Sequence, residues 1–329
     1  MTKLLRLALI ATLLVPAAGC SSTDDLQDAI AAVNPFGDSK KALPGERQPV
    51  LSDVTPGQLA RNKPVSIPGP RGVNGWTGAG GPAGNDSGHV ALDGASGNRV
   101  WSTRAAETGS GGMLRGDVRV FAGPVAASGR AFVLDPAGNV TAVSLSGGTA
   151  WRTSVRPADV DEPTTTGGVA TDGSRVYAAT AYGKLVALDA DSGGVVWDAK
   201  LPEPARGAPT VADGRVFVVT QANNVVALSA GDGAEAWTWR GVPEIGNLLS
   251  SANPAVSAGI VVVPFTSGEL VALDAKSGKP VWNDTLARAS RNFAVSGLAT
   301  IAASPVIADG TVYATGVGSR TVALNLKSG

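Results

Sequence analysis

The stretch KLVALDADSGGVVW (Lys184–Trp197) returns as NVVALSAGDGAEAW (Asn224–Trp237) and ELVALDAKSGKPVW (Glu269–Trp282). Looser copies are NVTAVSLSGGTAW (Asn139–Trp151) and HVALDGASGNRVW (His89–Trp101). A chain that repeats itself at a near-constant period folds as a repeated unit, each copy burying its apolar face on its neighbours. In all five copies a glycine stands four residues ahead of a tryptophan: Gly97/Trp101, Gly147/Trp151, Gly193/Trp197, Gly233/Trp237 and Gly278/Trp282. The tryptophans are 50, 46, 40 and 45 residues apart.

Each period reads as four short strands. The repeated motif supplies two of them, a VAL-type run and the run that carries tryptophan. Ahead of it lies RAFVL at 130, RVYAAT at 175, RVFVVT at 215 or IVVVPF at 260. Further upstream comes another, as in APTVADG (Ala208–Gly214) and SPVIADG (Ser304–Gly310). The Asp-Gly and Ser-Gly pairs supply the left-handed positions of tight hairpins. Four antiparallel strands every 40–50 residues describe the blade of a β-propeller. The expected fold is therefore all-β, a propeller of four-stranded antiparallel blades. Leu185–Leu188 places apolar side chains on both sheet faces, as a blade packed on two neighbours requires. Ala187 leaves room for close approach, Asp189 and Asp274 accept backbone N–H groups in Asx-type turns, and each tryptophan is expected to span the gap between blades.

Composition agrees. Glycine accounts for 43 of 329 residues while apolar residues remain at 43%, so the chain has many turns and still a core. TVALNLKSG (Thr321–Gly329) is a sixth copy whose tryptophan would fall four residues past Gly329. The expectation is a sequence cut short in a hairpin, with about five blades and part of a sixth present, and seven or, more fittingly, eight in the closed ring. The first copy lacks an obvious inner pair.

Residues 1–19 differ from the rest. Lys3 and Arg6 precede the apolar run Leu7–Val15, too short to span a bilayer, and Ala17-Ala18-Gly19 leads to Cys20. This resembles the lipobox of bacterial lipoproteins, which implies cleavage before Cys20 and a palmitate-type lipid anchor on it; an ordinary secretory signal with an incidental cysteine is the alternative. Ser21, in place of Asp, implies the outer membrane under the lipoprotein sorting rule. After cleavage 25 Lys+Arg face 27 Asp+Glu, a balance without a nucleic-acid footprint. With Cys20 lipidated no cysteine is left for a disulfide, so the core alone holds the fold. Residues 20–70, rich in proline and without periodicity, read as a tether, and residues 71–329 as a partial propeller domain.

From Trp76 to Gly329 the repeats resemble the pyrroloquinoline-quinone-type propellers, which include quinoprotein dehydrogenases and non-enzymatic relatives. The dehydrogenases hold their cofactor with calcium, a catalytic Asp and usually a disulfide between adjacent cysteines. Here no D-x-D-x-D-G loop or HxxxH spacing offers a metal site. His89, the only histidine, reads as a solvated residue of a turn-rich stretch more readily than as a base. No catalytic constellation, cofactor or metal ligand is expected.

A lipid-anchored propeller without chemistry resembles the BamB family, lipoproteins of the machinery that assembles β-barrels in the outer membrane. KALPGERQPVL (Lys41–Leu51) and GWTGAGGPAGNDSGHVAL (Gly75–Leu92) are similar to segments that lead into the first blade in that family. The resemblance implies a non-enzymatic scaffold on the periplasmic face, docking on the periplasmic domains of the central barrel-assembly protein beside other lipoprotein subunits. Unfolded outer-membrane proteins are further candidate partners. The family's docking loop carries Arg-Gly beside Pro-Thr, matched by EPARGAPT (Glu203–Thr210), with Arg206 in the Arg position, Gly207 after it, and Glu203 and Ala205 where apolar residues usually stand. A solvated loop charge is the other reading of Arg206. The aspartates expected in the next inter-blade loop are replaced by Leu249 and Ser251. Trp239, outside the repeat pattern, is either a second contact or a packed loop residue. Two alternatives stand beside the scaffold: a quinoprotein oxidoreductase whose site lies in further sequence, and a cell-wall glycan binder, against which the low Tyr and Phe counts, 3 and 6, argue weakly.

Overall fold

The computed structural model describes residues 66–92, 99–107, 120, 122–160, 163–164, 166–243, 251–286, 300–317 and 320–329. Cys20, Gly97, Leu249 and most of the tether lie outside the described residues.

The strands follow the sequence phrases closely, because each apolar run is bounded by residues that adopt turns. The first sheet comprises β1 (Val125–Ala127), β2 (Arg130–Leu134), β3 (Asn139–Ser144) and β4 (Thr149–Ser154). The second comprises β5 (Gly167–Thr171), β6 (Arg175–Thr180), β7 (Lys184–Asp189) and β8 (Val195–Lys200). The third holds β9 (Thr210–Ala212), β10 (Arg215–Val219), β11 (Asn224–Ser229) and β12 (Glu235–Arg240); the fourth holds β13 (Ala255–Ser257), β14 (Ile260–Pro264), β15 (Glu269–Asp274) and β16 (Pro280–Thr285). A fifth sheet has three strands among the described residues, β17 (Val306–Ala308), β18 (Thr311–Thr315) and β19 (Thr321–Asn325). Every pairing is antiparallel between consecutive strands, and the first strands β1, β5, β9, β13 and β17 neighbour one another in that order. This is the all-β propeller architecture.

The described residues cover only part of the six copies. Among the described residues four sheets are complete and one has three strands. The copy around Trp101 forms no strand among its described residues. Among those residues Val90 makes a bridge to Arg71.

The core consists of wedges between consecutive sheets. One apolar cluster joins the first and second sheets through Val140, Val176 and Leu188, and three more join the second to the third, the third to the fourth and the fourth to the fifth. In β7, Leu185, Val186, Ala187 and Leu188 are all buried, on both faces as expected. The outermost strands alternate between exposed and half-buried positions.

A three-residue row repeats across the sheets. Phe132 pairs with Ala142 and Ala142 with Trp151; the same rows read Tyr177–Ala187–Trp197 and Phe217–Ala227–Trp237. The methyl group in the middle lets the flanking rings meet above it, with centroids 5.8, 5.8 and 5.9 Å apart and tilted planes, a favourable aromatic geometry. The central alanine thus makes room within its own sheet.

Each tryptophan reaches the glycine of the following repeat. The indole N–H of Trp151 donates to Ala190 O, that of Trp197 to Ala230 O, that of Trp237 to Ala275 O and that of Trp282 to Leu326 O, at 2.8–3.2 Å. The ring then lies flush on the glycine three residues later. A β-carbon built on Gly193 would fall 2.5 Å from Trp151 Cδ2, and on Gly233 2.6 Å from Trp197 Cε3. Gly278 meets Trp237, Gly329 meets Trp282 and Gly147 meets Trp101 in the same way. Gly193 also has φ +73°, where a side chain is strained. The turn before it is closed by Asp189, whose Oδ1 accepts Ser192 N and Oγ at 2.8 and 2.7 Å; Asp274 does the same for Ser277.

Substituting Gly193→Ala is expected to destabilise the chain by about 2–4 kcal/mol, and Trp151→Ala by about 3–5 kcal/mol. The double variant should fall short of the sum by at least about 1 kcal/mol, since truncating the ring removes the clash. The coupling between Gly193→Ala and Trp197→Ala, four residues apart in sequence, should be smaller. Urea unfolding of the two double-mutant cycles measures both.

Candidate functional site

The segments that enter the first strands converge at one end of the propeller axis, and the loop from β8 to β9 (Leu201–Pro209) is one of them. Its backbone is fastened throughout. Leu201 N donates to Gly183 O, Ala205 N to Thr180 O, Arg206 N to Val219 O, and Gln221 N to Pro204 O. Thr166 Oγ1 donates to Ala205 O at 2.8 Å. Both Glu203 carboxylate oxygens accept Asn224 Nδ2, at 3.1 and 3.0 Å. Pro202 is exposed, Glu203 and Pro204 are half-buried, and Ala205 is fully buried.

Arg206 is not a surface charge. Only 5% of it is exposed, which corrects the expectation of a side chain open to a partner or to solvent. Its Nη1 donates to Asn223 Oδ1 at 2.9 Å, its Nη2 donates to Pro264 O, and its Nε has no partner among the described residues. Asn223, held at φ +61°, in turn donates to Val242 O at 2.8 Å and Thr266 Oγ1 at 2.9 Å. One guanidinium therefore ties the loop to the β10–β11 turn of the third sheet and to the end of β14 in the fourth. Burial pushes its pKa down to about 10. The unfolded chain then binds more protons above about pH 10, so burying this charge is a cost at neutral pH that diminishes as pH rises past that point. The fork of hydrogen bonds offsets that cost.

Gly207 has no room for a side chain, since a β-carbon there would lie 2.8 Å from Ser251 O. Trp239 lies in β12, not in a loop, and stacks on Phe265 with centroids 5.3 Å apart and planes at 22°. His89 is exposed, with Nδ1 2.8 Å from Pro68 O.

The segment Trp76–Asn85, glycine-rich and without a periodic signal, crosses the axis as a strap. Trp76 exchanges both backbone hydrogen bonds with Ala126 of β1. Thr77 O accepts Thr171 N of β5, Ala83 O accepts Val256 N of β13, and Gly84 O accepts Ile307 N of β17. Asn85 is buried, donates to Pro305 O at 2.9 Å and accepts Asn253 Nδ2 at 2.9 Å. Ala79 and Gly80 of the strap line a pit of about 190 Å³ that Ala208 of the loop also borders. Pockets that hold cofactor-sized ligands run to about 300–1,000 Å³.

Comparison with known proteins settles the family. The family model described as outer membrane protein assembly factor BamB matches residues 79–159 and 136–329. The chain belongs to the BamB family. It is 30% identical to outer membrane protein assembly factor BamB of Yersinia pestis, over 70% of this chain and 59% of the relative. With BamB of Moranella endobia the identity is 25%, over 70% of this chain and 60% of the relative. The chain thus spans about six-tenths of the length of these BamB relatives. In structure it resembles BamB from Moraxella catarrhalis (TM-score 0.54, 24% identity, 60% of this chain and 59% of that one). It also resembles quinohemoprotein alcohol dehydrogenase from Comamonas testosteroni (TM-score 0.57, 18% identity, 77% and 49%). At these identities both likenesses are likenesses of fold.

Removing the buried guanidinium should cost stability. Arg206→Ala is expected to lose roughly 2–4 kcal/mol, through lost packing of the stem and an acceptor left unpaired at Pro264 O. Arg206→Lys should not restore it, because one ammonium cannot serve both acceptors of the fork. Chemical unfolding of the three proteins checks this.

Proposed function

We propose that this chain is a non-enzymatic scaffold subunit in the assembly of outer-membrane β-barrel proteins, docking on the periplasmic domains of the central barrel-assembly protein. The observation that carries the reading is the BamB family match across residues 79–329. The fold supports it: the packed sheets bring the segments entering their first strands to one face, and a protein complex of usual size buries about 800 Å² of such a face per partner. The loop Leu201–Pro209 is the docking element. Its crest, with Pro202 exposed and Glu203 and Pro204 half-buried, meets the partner, while Arg206 and Ala205 hold the crest in place from within. Cys20 carries the lipid that keeps the protein at the periplasmic face of the outer membrane. The likeness to a quinohemoprotein dehydrogenase, being one of fold, lends no residue to an oxidoreductase reading.

The test is a titration of the full chain, in detergent, with the periplasmic domains of the host's barrel-assembly protein. Binding in the micromolar range or tighter is expected. The variant Pro202→Arg should weaken it at least tenfold, about 1.4 kcal/mol, with the unfolding midpoint little changed. Binding indifferent to that variant would move the contact off the loop, and no binding by a folded chain would overturn the assignment.

A further inference from the structure

The pit at the axis lies where a docked partner would meet the centre of the face. Besides the strap, its walls are Ala122 and Gly123 ahead of β1, Ala208 ahead of β9, Ser251 and Asn253 ahead of β13, and Ser304 ahead of β17. They are mostly small residues. Its polar wall is closed on itself. Ser304 Oγ donates to Asn253 Oδ1 at 2.6 Å and accepts Asn253 N at 3.1 Å, while Asn253 Nδ2 is held by Asn85. The main-chain groups of Ala79, Gly80, Gly123 and Ala208, in contrast, make no hydrogen bond to other described residues. They offer both donors and acceptors.

We propose that this axial pit receives one uncharged, hydrogen-bonding side chain, a carboxamide or hydroxyl, from a protruding loop of a protein partner. The inference rests on the docking reading above and names what sits at the centre of that interface. Size favours a single side chain: about 190 Å³ corresponds to roughly six waters and is too small for a cofactor. Charge sets the rest. Among the described residues no ionisable group lines the pit, so a buried carboxylate or ammonium would lack a counter-ion there. Anchors that fill preformed pockets near the centre of an interface carry most of its energy.

Gly123 gives a clean test, because a β-carbon there would meet only Ala79 O, at 3.7 Å. In the titration with the periplasmic domains, Gly123→Leu should raise Kd at least tenfold and Gly123→Ala about threefold. Gly72→Leu, at a glycine with nothing within 4 Å, should leave Kd within twofold. Affinity unchanged by Gly123→Leu in a folded protein overturns the pit; should that variant not fold, unchanged affinity of Gly123→Ala does so. Failure of the parent chain to bind counts against the docking reading instead. A partner-independent arm then decides for the pit: propionamide at high millimolar concentration should move the amide resonances of Gly80 and Gly123 saturably in the parent and not in Gly123→Leu. Resonances that stay still in the parent overturn it.

Discussion

The contact on which the other features depend is an indole laid flat on a glycine of the next sheet. The ring needs a surface with no β-carbon, and the glycine needs a positive φ that its own turn imposes; one residue type satisfies both. The indole N–H then fixes the ring's orientation by donating to a carbonyl three residues before that glycine, four times over. Because the contact always runs from one repeat to the following one, it sets the pitch between sheets as well as their attachment. Apolar wedges alone would tolerate sliding, since cores accept many packings of similar volume. The indole–glycine contact, combining a hydrogen bond with a steric stop, removes that freedom.

Such a frame explains where function can sit. The strands bury their side chains between sheets, so chemistry-bearing groups are left to the outer edges and the segments entering the first strands. Those segments meet at the axis, where the strap from Trp76 to Asn85 binds the first strands of four sheets. The result is a closed floor under a shallow face. A face of that kind is suited to recognising another folded surface, and the recess at its axis has the dimensions of a side chain.

The repeat phrases made most of this legible. Strand positions such as Arg175–Thr180 and Glu269–Asp274 were marked by apolar runs between Asp-Gly and Ser-Gly turns, and the Asx turns of Asp189 and Asp274 by their place after the strand. The pairing of glycine with tryptophan was visible only as a spacing. Sequence shows that Gly193 and Trp197 recur together; it does not show that each serves a different interface. The strap was not legible, because its glycines carry no period and its acceptors lie on four separate sheets.

Arg206 is the most instructive difference. A single arginine in a loop of Glu, Pro and Ala reads as a surface charge, since buried arginines are rare without a carboxylate partner. Its acceptors, Asn223 and Pro264, lie 17 and 58 residues away, in the β10–β11 turn and at the end of β14. Neither is acidic, so no charge pattern announces them. Yet the arrangement follows from the architecture. The loop between β8 and β9 spans the junction of two sheets, where backbone carbonyls at strand ends face inward without a strand partner, and a planar fork of donors is the group best shaped to satisfy several at once. The depressed pKa records what that burial costs. A docking loop built around such a strut is rigid before its partner arrives, which reduces the ordering entropy lost on association. A buried arginine can therefore matter to recognition without touching the partner at all.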